Sequence, residues 1–502
     1  MASQYIHWFD WVVIGAYMAL MLFVGFYLSR RLPNFEEFFV AGRVMTTPIL
    51  ICTLVSTYYG VDVLFGTSEL AYNEGIVAWF SYSRPTYLFF LIAAFVIARR
   101  VRESAFFSLP EIMGRHYGRG AQVSAAMASF LYSLPSLGLF GLGRAASVVV
   151  GWDPKVGALV AGGVALVYTL TGGLWAVAVT DTVQFVLMCT TLAIAVPIVL
   201  SRTGSFEWAQ AHLDSTYFHP LGSVPIWLVI VYAMTGLSIL VEPAFYQRIF
   251  AAKSFKMVRN AILLGIVMWS AYDWCVTAVG ILARGGVAHG FLRPDMHPNE
   301  ALLRTVVWAL PAGLTGIFLA GVLAAEMSTI DSYCLIAGGN VVYDIYRPVF
   351  RPKISDAELV RYTKWGVILS WILGYFIAFY FDRLMALWVF MSTVLTSAVF
   401  IPVMIALYSK RPKTALSGLA SSLAGLVTAL GYYVLLHHFG TESEEFGTYI
   451  WSFTLGGRQV ELWQEYAIFF SLPLSALGYW VGSRIGPARP AHSAAPLAAG
   501  GS

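Results

Sequence analysis

Charged residues are scarce in this 502-residue sequence, where Asp, Glu, Lys and Arg together make up 12% of the chain. A soluble globular chain carries about 25%. Hydrophobic residues make up 58% and fall into long runs, many of which reach the roughly 18 residues that a helix needs to cross a hydrocarbon core. A soluble core cannot absorb so many such runs. The composition therefore predicts an all-α protein that crosses a membrane many times.

Cysteine and histidine are also sparse, and neither is grouped. The four cysteines all lie inside apolar runs, so no disulfide framework or zinc motif is expected. The nine histidines lie mainly in loops and tails. An enzyme would need a clustered nucleophile, base or set of metal ligands. An enzymatic function is therefore not expected.

The apolar runs predict thirteen transmembrane helices. Their approximate bounds are 8–29, 45–67, 75–98, 120–150, 154–170, 175–200, 225–249, 258–283, 311–342, 362–381, 384–408, 415–437 and 465–485. The segment 438–464 is expected to be an acidic outer loop. The tail 486–502 is rich in Ala, Pro, Gly and Ser, cannot bury a core and is expected to be disordered.

The distribution of lysine and arginine predicts the orientation in an inner cell membrane. With the N-terminus outside, the inner segments hold 22 of the 31 basic residues, the outer segments hold 7, and 2 lie within spans. Basic residues favour the cytoplasmic side, so the N-terminus is expected outside and the C-terminus in the cytoplasm. The net charge of +4 follows from these short loops and does not indicate a nucleic-acid partner.

Two predicted spans are interrupted by polar or helix-breaking residues. The second contains the run 56–60 and then Asp62, and the seventh contains Glu242 followed by Pro243. Such residues survive at membrane depth where they line a cavity or are buried in protein. They open two successive five-helix sets, a pattern typical of inverted-repeat transporters with a site at the midplane. The alternative is two unrelated kinks tolerated by packing.

The ninth span carries a polar stripe on one helix face. Ala325, Ser328, Thr329 and Ser332 follow the i, i+3, i+4, i+7 spacing, and Asp331 lies beside them. Hydroxyl and carboxylate oxygens suit a hard cation, and carbonyls freed by a break in the second span would complete its shell. The alternative is that the hydroxyls bond to their own helix or join neighbouring helices.

Three further charged residues lie at or within predicted spans. Asp181 begins the sixth span, where it is either an interfacial cap or a functional intramembrane acid. Arg84 and Arg144 lie inside the third and fourth spans. Each arginine is expected either to pair with Glu242 or Asp62 or to face an anionic group of a substrate.

The run 168–184, from Tyr168 to Gln184, resembles the signature of the sodium/solute symporter family. Three further stretches agree with this family in order and spacing. They are Ala-Gly-Arg at 41–43, the segment 247–254 that begins with Gln-Arg, and Met-Ser-Thr-Ile-Asp-Ser at 327–332, which leads to Asp-Ile-Tyr at 344–346. The resemblance covers roughly residues 8–410.

The resemblance implies a LeuT-type fold of two inverted five-helix repeats, with one extra N-terminal and two extra C-terminal helices. The expected divisions are an N-terminal helix and loop at 1–44, repeats at 45–202 and 225–410, C-terminal helices at 411–485, and the tail. It also implies sodium-coupled import of a small solute by alternating access.

The family's sodium sites map residue by residue onto this chain. The core site is implied at the backbone carbonyls of Ser56, Tyr59 and Ala325 and the hydroxyls of Ser328 and Thr329. Some members bind a second sodium, which here implies Asp181, Asp331 and Ser332, with Ser328 shared.

The substrate-binding positions depart from known sugar and proline sets, so they predict no particular solute. The candidate positions are Tyr58, Asp62, Tyr82, Arg84, Arg144 and Glu242. Two intramembrane arginines favour a carboxylate on the solute, and Glu242 suits an amine, so amino acids are the first class expected.

Two other functions are weighed against sodium symport. A proton-coupled carrier on the same scaffold would use Asp62 or Glu242 as a relay. A membrane sensor or lipid-modifying enzyme is the remote alternative, because a sensor would need a fused signalling domain and an enzyme a catalytic cluster.

Overall fold

The computed structural model describes residues 6–28, 34–60, 62–380, 384–443 and 448–489, without the side chains of Asp62, Thr171, Ser205, Ala488 and Arg489. The prediction of a disordered tail falls largely on residues 490–502, which lie outside the described residues. Most of the described chain is helical. This confirms the all-α class.

In this part of the chain, nine helices are long and apolar enough to cross a membrane. They are Trp8–Leu28, Ala78–Ser104, Arg119–Val150, Gly172–Thr203, Ile226–Ala251, Phe255–Ala288, Leu314–Phe350, Leu384–Tyr408 and Ala415–Phe439. The pair Thr47–Tyr58 and Val63–Glu74 passes the same test together and makes a tenth crossing, with a bend of 52°.

Three further helices lie at predicted spans but are shorter or less apolar. They are Pro154–Leu170, Asp356–Ala378 and Ala467–Ile485. The count of thirteen crossings and the division into repeats therefore stay predictions. Short helices join the long ones at Phe35–Val40, Leu109–Tyr117, Ser205–His212 and Ala301–Ala309.

The segment predicted as an outer loop forms a small antiparallel sheet. Its strands are Thr441–Ser443, Thr448–Leu455 and Arg458–Trp463. Alternation of apolar and polar residues and a Gly456-Gly457 turn with positive φ at both glycines produce the hairpin. The segment between the last two predicted spans therefore contains strands that the sequence analysis did not predict, and its location outside the membrane stays a prediction. Two short strands, Lys413–Thr414 and Ala488–Arg489, also pair antiparallel.

Both predicted helix breaks are present. The second span ends as a regular helix at Tyr58 and continues as a π-helix over Asp62–Thr67. The seventh span tightens to a 3₁₀ helix at Gly236–Val241, becomes extended at Glu242, and starts again at Pro243–Ala251. Proline fits the first turn of this second helix because it has no N–H to leave unpaired.

The motif stretch 247–254 meets the beginning of the second span, just after the motif stretch 41–43. The Met45 amide donates to the Ala251 carbonyl at 3.1 Å, and the Lys253 amide donates to the Met45 carbonyl at 2.9 Å. Arg102 donates from Nε to the Ala252 carbonyl at 2.5 Å. The beginning of the second span is therefore held against the end of the seventh by backbone hydrogen bonds.

Gly173 divides a continuous 50-residue helical stretch, Pro154–Thr203, into two spans. Its φ of 57° and ψ of −163° are non-helical, and a Cβ at this position would lie 2.5 Å from the Phe38 carbonyl oxygen. Only glycine combines this conformation with this close approach. Gly173, which lies in the signature run 168–184, therefore has a backbone function.

We expect Gly173→Ala to lower the melting temperature of the detergent-solubilised protein. The strained backbone and the contact with Phe38 should together cost about 2 kcal/mol or more. Gly163→Ala is the matched control, because Gly163 lies in the same helical stretch and a Cβ there meets nothing within 4 Å. Equal melting temperatures for the two variants would contradict this explanation of the turn.

Candidate sodium and solute sites

Four of the five predicted core-site residues meet where the second span breaks. The Ser328 hydroxyl lies 3.0 Å from the Ser56 carbonyl and 2.9 Å from the Ala325 carbonyl. The Thr329 hydroxyl lies 3.1 Å from the Ala325 carbonyl and 3.3 Å from the Thr57 carbonyl. The structure thus groups two hydroxyls and three carbonyls, the oxygen ligands that a hard cation prefers.

Gly60 allows the broken span to approach the ninth span this closely. A Cβ at Gly60 would lie 2.1 Å from the Thr329 hydroxyl oxygen. Tyr59, the fifth predicted residue, directly follows the end of the helix at Tyr58, and the centroid of its ring lies 3.9 Å from that of Tyr272. A role for its carbonyl stays a prediction.

The second predicted sodium site lies around Asp181, which is fully buried. Thr53 donates to its Oδ2 at 2.5 Å. Ser332 donates to Oδ1 of Asp331 at 3.2 Å and lies 3.2 Å from the hydroxyl of Thr57. Asp181 and Asp331 are close enough to interact electrostatically. The structure therefore brings the predicted second-site residues into one buried polar cluster.

A buried arginine completes this cluster. Arg248 is 0% exposed, and its Nη2 lies 3.6 Å from Oδ2 of Asp181. It donates from Nη2 to Thr57 at 2.6 Å and to Ser332 at 2.5 Å, and from Nε to Thr53 at 3.2 Å. The charge count that predicted the orientation took Arg248, at the end of the predicted span 225–249, as one of the inner basic residues, whereas the structure buries it. The Gln-Arg pair in the motif at 247–254 was the signal for a structural role.

The solute candidates Tyr58 and Tyr82 line a narrow cavity of about 50 Å³ beside the core site. Seven of its fourteen lining residues are aromatic: Tyr58, Tyr59, Tyr82, Tyr87, Phe90, Trp269 and Trp388. The other seven are Val63, Ser83, Thr86, Thr235, Gly236, Ile239 and Asp273.

Glu242 supports the wall of this cavity through Tyr58. The Tyr58 hydroxyl donates to Oε2 of Glu242 at 2.5 Å, and the same oxygen accepts from the Phe245 amide, so Glu242 caps the second half of the seventh span. A carboxylate is stabilised by such amides at a helix N-terminus. The break in the seventh span thus fixes the position of one ring of the cavity.

The two intramembrane arginines do not reach this cavity. Arg84 is exposed, and its guanidinium lies 5.9 Å from the ring centre of Trp79 and 5.4 Å from that of Phe80. Arg144 lies 3.9 Å from Glu300 and 5.1 Å from the ring centre of Phe140. An arginine side chain is long, so its guanidinium can lie far from the depth of its Cα atom. The position of an arginine in the sequence therefore does not show what its guanidinium contacts.

Arg84 and Arg144 therefore contact neither Glu242 nor the cavity. The predictions that placed them there are corrected. The side chain of Asp62 lies outside the described residues, so its predicted role stays a prediction.

Asp273 is the acid that sequence reasoning missed. It lines the cavity, is buried, and accepts a hydrogen bond from the Tyr87 hydroxyl. It lies four residues after Trp269, on the same face of Phe255–Ala288. The available signal was an aspartate in the middle of an apolar run, which by default indicates function.

Broken helices from two successive sets of spans, with a cation-type oxygen cluster and a cavity between them, define a secondary transporter. Comparison with a solved sodium-coupled sialic acid symporter in its outward-open state gives a TM-score of 0.77 at 17% identity, over 96% of this chain and 99% of that one. The LeuT-type fold is therefore confirmed. Mhp1, a nucleobase-cation-symport-1 family transporter, gives 0.50 at 13% identity, over 91% and 97%.

Residues 38–425 match the Sodium:solute symporter family, and the chain belongs to this family. It is a multi-pass membrane transporter, not an enzyme, and imports a solute with sodium as the coupling ion. The osmoregulated proline transporter OpuE of Bacillus subtilis is 25% identical over 71% of this chain and 75% of its own. The human high affinity choline transporter 1 is 25% identical over 85% and 77%.

We expect Arg248→Met to destabilise the protein strongly, because it leaves the buried Asp181 without its guanidinium. Breaking a buried pair in this way costs about 3–5 kcal/mol. The double variant Arg248→Met/Asp181→Asn should recover part of that loss, as measured by thermal unfolding in detergent. Arg99→Met, which breaks the exposed pair with Glu103, is the control and should change little. A double variant no more stable than Arg248→Met would contradict the pairing.

Proposed function

We propose that sodium drives import of a small polar organic solute through the oxygen cluster at Ser328 and Thr329 and the adjoining cavity. One observation carries the proposal. The oxygen cluster and the cavity share one stretch of chain, since Ser56 and Thr57 contribute carbonyls to the cluster and Tyr58 and Tyr59 line the cavity. An ion that fixes this broken segment also fixes the cavity wall, which couples the two ligands.

The relatives support a small organic solute, since those reported are transporters of proline and choline. Proton coupling through Glu242 is less well supported. Its Oε2 accepts from both Tyr58 and the Phe245 amide, and these bonds give the carboxylate a structural task. We also propose an inner-membrane location with the N-terminus outside, supported by the basic residues of the segment 99–119.

Replacing both Ser328 and Thr329 by alanine should abolish most sodium binding at the core site, because two of the five oxygens are removed. We expect at least about a tenfold loss of affinity, the equivalent of roughly 1.4 kcal/mol. Radioactive sodium binding to the purified protein measures it directly. The control is Ser421→Ala/Ser422→Ala. These two consecutive serines lie on the helix Ala415–Phe439 and bond Ser475 and Ser124 instead. Unaltered sodium affinity in the first double variant would contradict the core site.

A second sodium is proposed between Asp181 and the turn that carries Asp331. Both carboxylates are buried, and Arg248 supplies one positive charge. If both carboxylates are ionised, the cluster retains one net negative charge, which is costly in a membrane interior unless a cation or a proton balances it. Oδ1 of Asp181 and Oδ2 of Asp331 accept no hydrogen bond in the described structure, so each has an oxygen to offer. Ser332 and the shared Ser328 would complete the shell.

At saturation, we expect two sodium ions bound per wild-type protein and one in Asp331→Asn, because the second site loses its charge while the core hydroxyls remain. Equilibrium dialysis with radioactive sodium gives the number. Asp181→Asn should have the same stoichiometry, but it also removes the partner of Arg248, so its thermal stability is measured in parallel. One ion bound by the wild type, unchanged in both variants, would rule out the second site and leave a protonated aspartate.

A further inference from the structure

We propose that Oε1 of Gln184 is a further ligand of the second sodium, and that Tyr17 of the first helix holds the amide so that this oxygen faces the ion. This inference rests on the second sodium proposed above. It adds a neutral ligand at the last residue of the signature run 168–184. It also gives the first helix, which lies outside the two expected repeats, a part in ion binding.

The amide of Gln184 has one atom with a hydrogen-bond partner and one without. The side chain is fully buried, and its Nε2 donates to the Tyr17 hydroxyl at 3.1 Å. That hydroxyl donates its own proton toward the sulfur of Met327 at 3.8 Å, so it accepts from Nε2 and leaves Oε1 on the other side. Oε1 accepts no hydrogen bond within the part of the chain that the structure describes. A buried acceptor without a partner costs about 1–3 kcal/mol, which a bound ion offsets.

Gln184 lies beside both carboxylates of the proposed second site. It follows Asp181 by three residues, so the two side chains lie on the same face of their helix. The Tyr168 hydroxyl interacts with the side chains of both Gln184 and Asp331. Tyr17 in turn interacts electrostatically with both aspartates. The unpaired amide oxygen therefore belongs to the same buried polar cluster as the two carboxylates.

The charges of the cluster favour a neutral oxygen as the additional ligand. The side-chain ligands expected so far are Asp181, Asp331, Ser332 and the shared Ser328. Ser332 already donates to Asp331 and accepts from Arg248, so its hydroxyl has little to offer an ion. With both carboxylates ionised and Arg248 as their counter-charge, one monovalent cation makes the cluster neutral. An amide oxygen, which hard cations accept as a ligand, completes the shell without disturbing that balance.

The first helix is fastened to the ninth span at a second point, which fixes the position of Tyr17. Oδ1 of the buried Asp10 accepts from the amides of Gly313 and Gly316, each at 2.7 Å. These amides begin the helix Leu314–Gly339, where a carboxylate is favourable. A Cβ at Gly316 would lie 2.6 Å from the Cα atom of Asp10, so this glycine permits the contact. Asp10 and Tyr17 lie about two helical turns apart and together hold one face of the first helix against the cluster.

Two substitutions at Gln184 test the ligand through two-site sodium isotherms, measured by equilibrium dialysis of the purified protein. Gln184→Leu removes the oxygen at similar size and should weaken the second sodium at least about tenfold, with the core sodium unchanged. Gln184→Glu sets three carboxylates against the one guanidinium of Arg248, a balance of two negative charges that a divalent cation matches. We expect Ca²⁺ to displace the second sodium at least about tenfold better in this variant than in the wild type. A loss of stability alone would not change the cation preference.

Tyr17→Phe tests the positioning role with the ligand still in place. Loss of the hydroxyl lets the amide of Gln184 turn, so the second sodium should bind at least about threefold more weakly. The double variant Tyr17→Phe/Gln184→Leu should bind it no more weakly than Gln184→Leu, because Tyr17 acts only through that amide. Tyr27→Phe is the matched control, since it removes the same hydroxyl from an exposed position on the same helix and should change nothing. Melting temperatures without sodium show whether each variant is folded.

The outcomes separate this inference from the proposed function. A wild type that binds one sodium contradicts the second site itself, and the inference with it. A wild type that binds two, with the second equally tight in Gln184→Leu, overturns this inference alone and makes a water the partner of Oε1. An unchanged cation preference in Gln184→Glu also overturns it, and this variant decides if Gln184→Leu does not fold. Additive losses in the double variant would remove the positioning role of Tyr17.

Discussion

A buried guanidinium joins the parts of the structure that a transporter must move together. Arg248 belongs to the second half of the broken seventh span and contacts Thr53 and Thr57 of the second span, Asp181 of the sixth and Ser332 of the ninth. A charge this deep is tolerated only when its partners satisfy it, so each of these helices is constrained by the others. The broken helices therefore cannot shift independently without uncovering a charge.

The sodium position depends on this constraint through two residues. Thr57 accepts from Thr329 through its carbonyl and from Arg248 through its hydroxyl. Ser332 lies one helical turn beyond Ser328 and bonds both Arg248 and Asp331. An ion that draws the Thr57 carbonyl toward the ninth span changes the geometry of the arginine cluster as well. Sodium binding and helix position are thus linked by shared hydrogen bonds, which is the physical basis that ion-coupled alternating access requires.

The sequence was a good guide where local spacing decides contact. The stripe of Ser328 and Thr329 follows from helical periodicity, and the breaks at 56–60 and Glu242 follow from polar and proline residues in apolar runs. The sequence did not predict side-chain direction or tertiary pairing. Arg248 was counted as an inner basic residue because it lies at the end of a predicted span, and Arg84 was interpreted as a site residue because it lies within one. The structure buries Arg248 among polar partners and leaves Arg84 exposed. Asp273 was hidden because nothing in one sequence shows which helix face meets the cavity.

The charge of the solute decides how much each sodium has to contribute. One charge crossing about 100 mV yields roughly 2.3 kcal/mol, and a tenfold gradient adds about 1.4 kcal/mol. An anionic solute taken up with one sodium would move no net charge, so a second sodium would be needed to use the voltage. A cation is itself drawn inward, and one sodium with one cation already gains about 4.6 kcal/mol from the same potential. A second sodium is then not required for drive. Its physical reason would be the uncompensated charge of Asp181, Asp331 and Arg248, so its presence would reflect the stability of the cluster more than the steepness of accumulation.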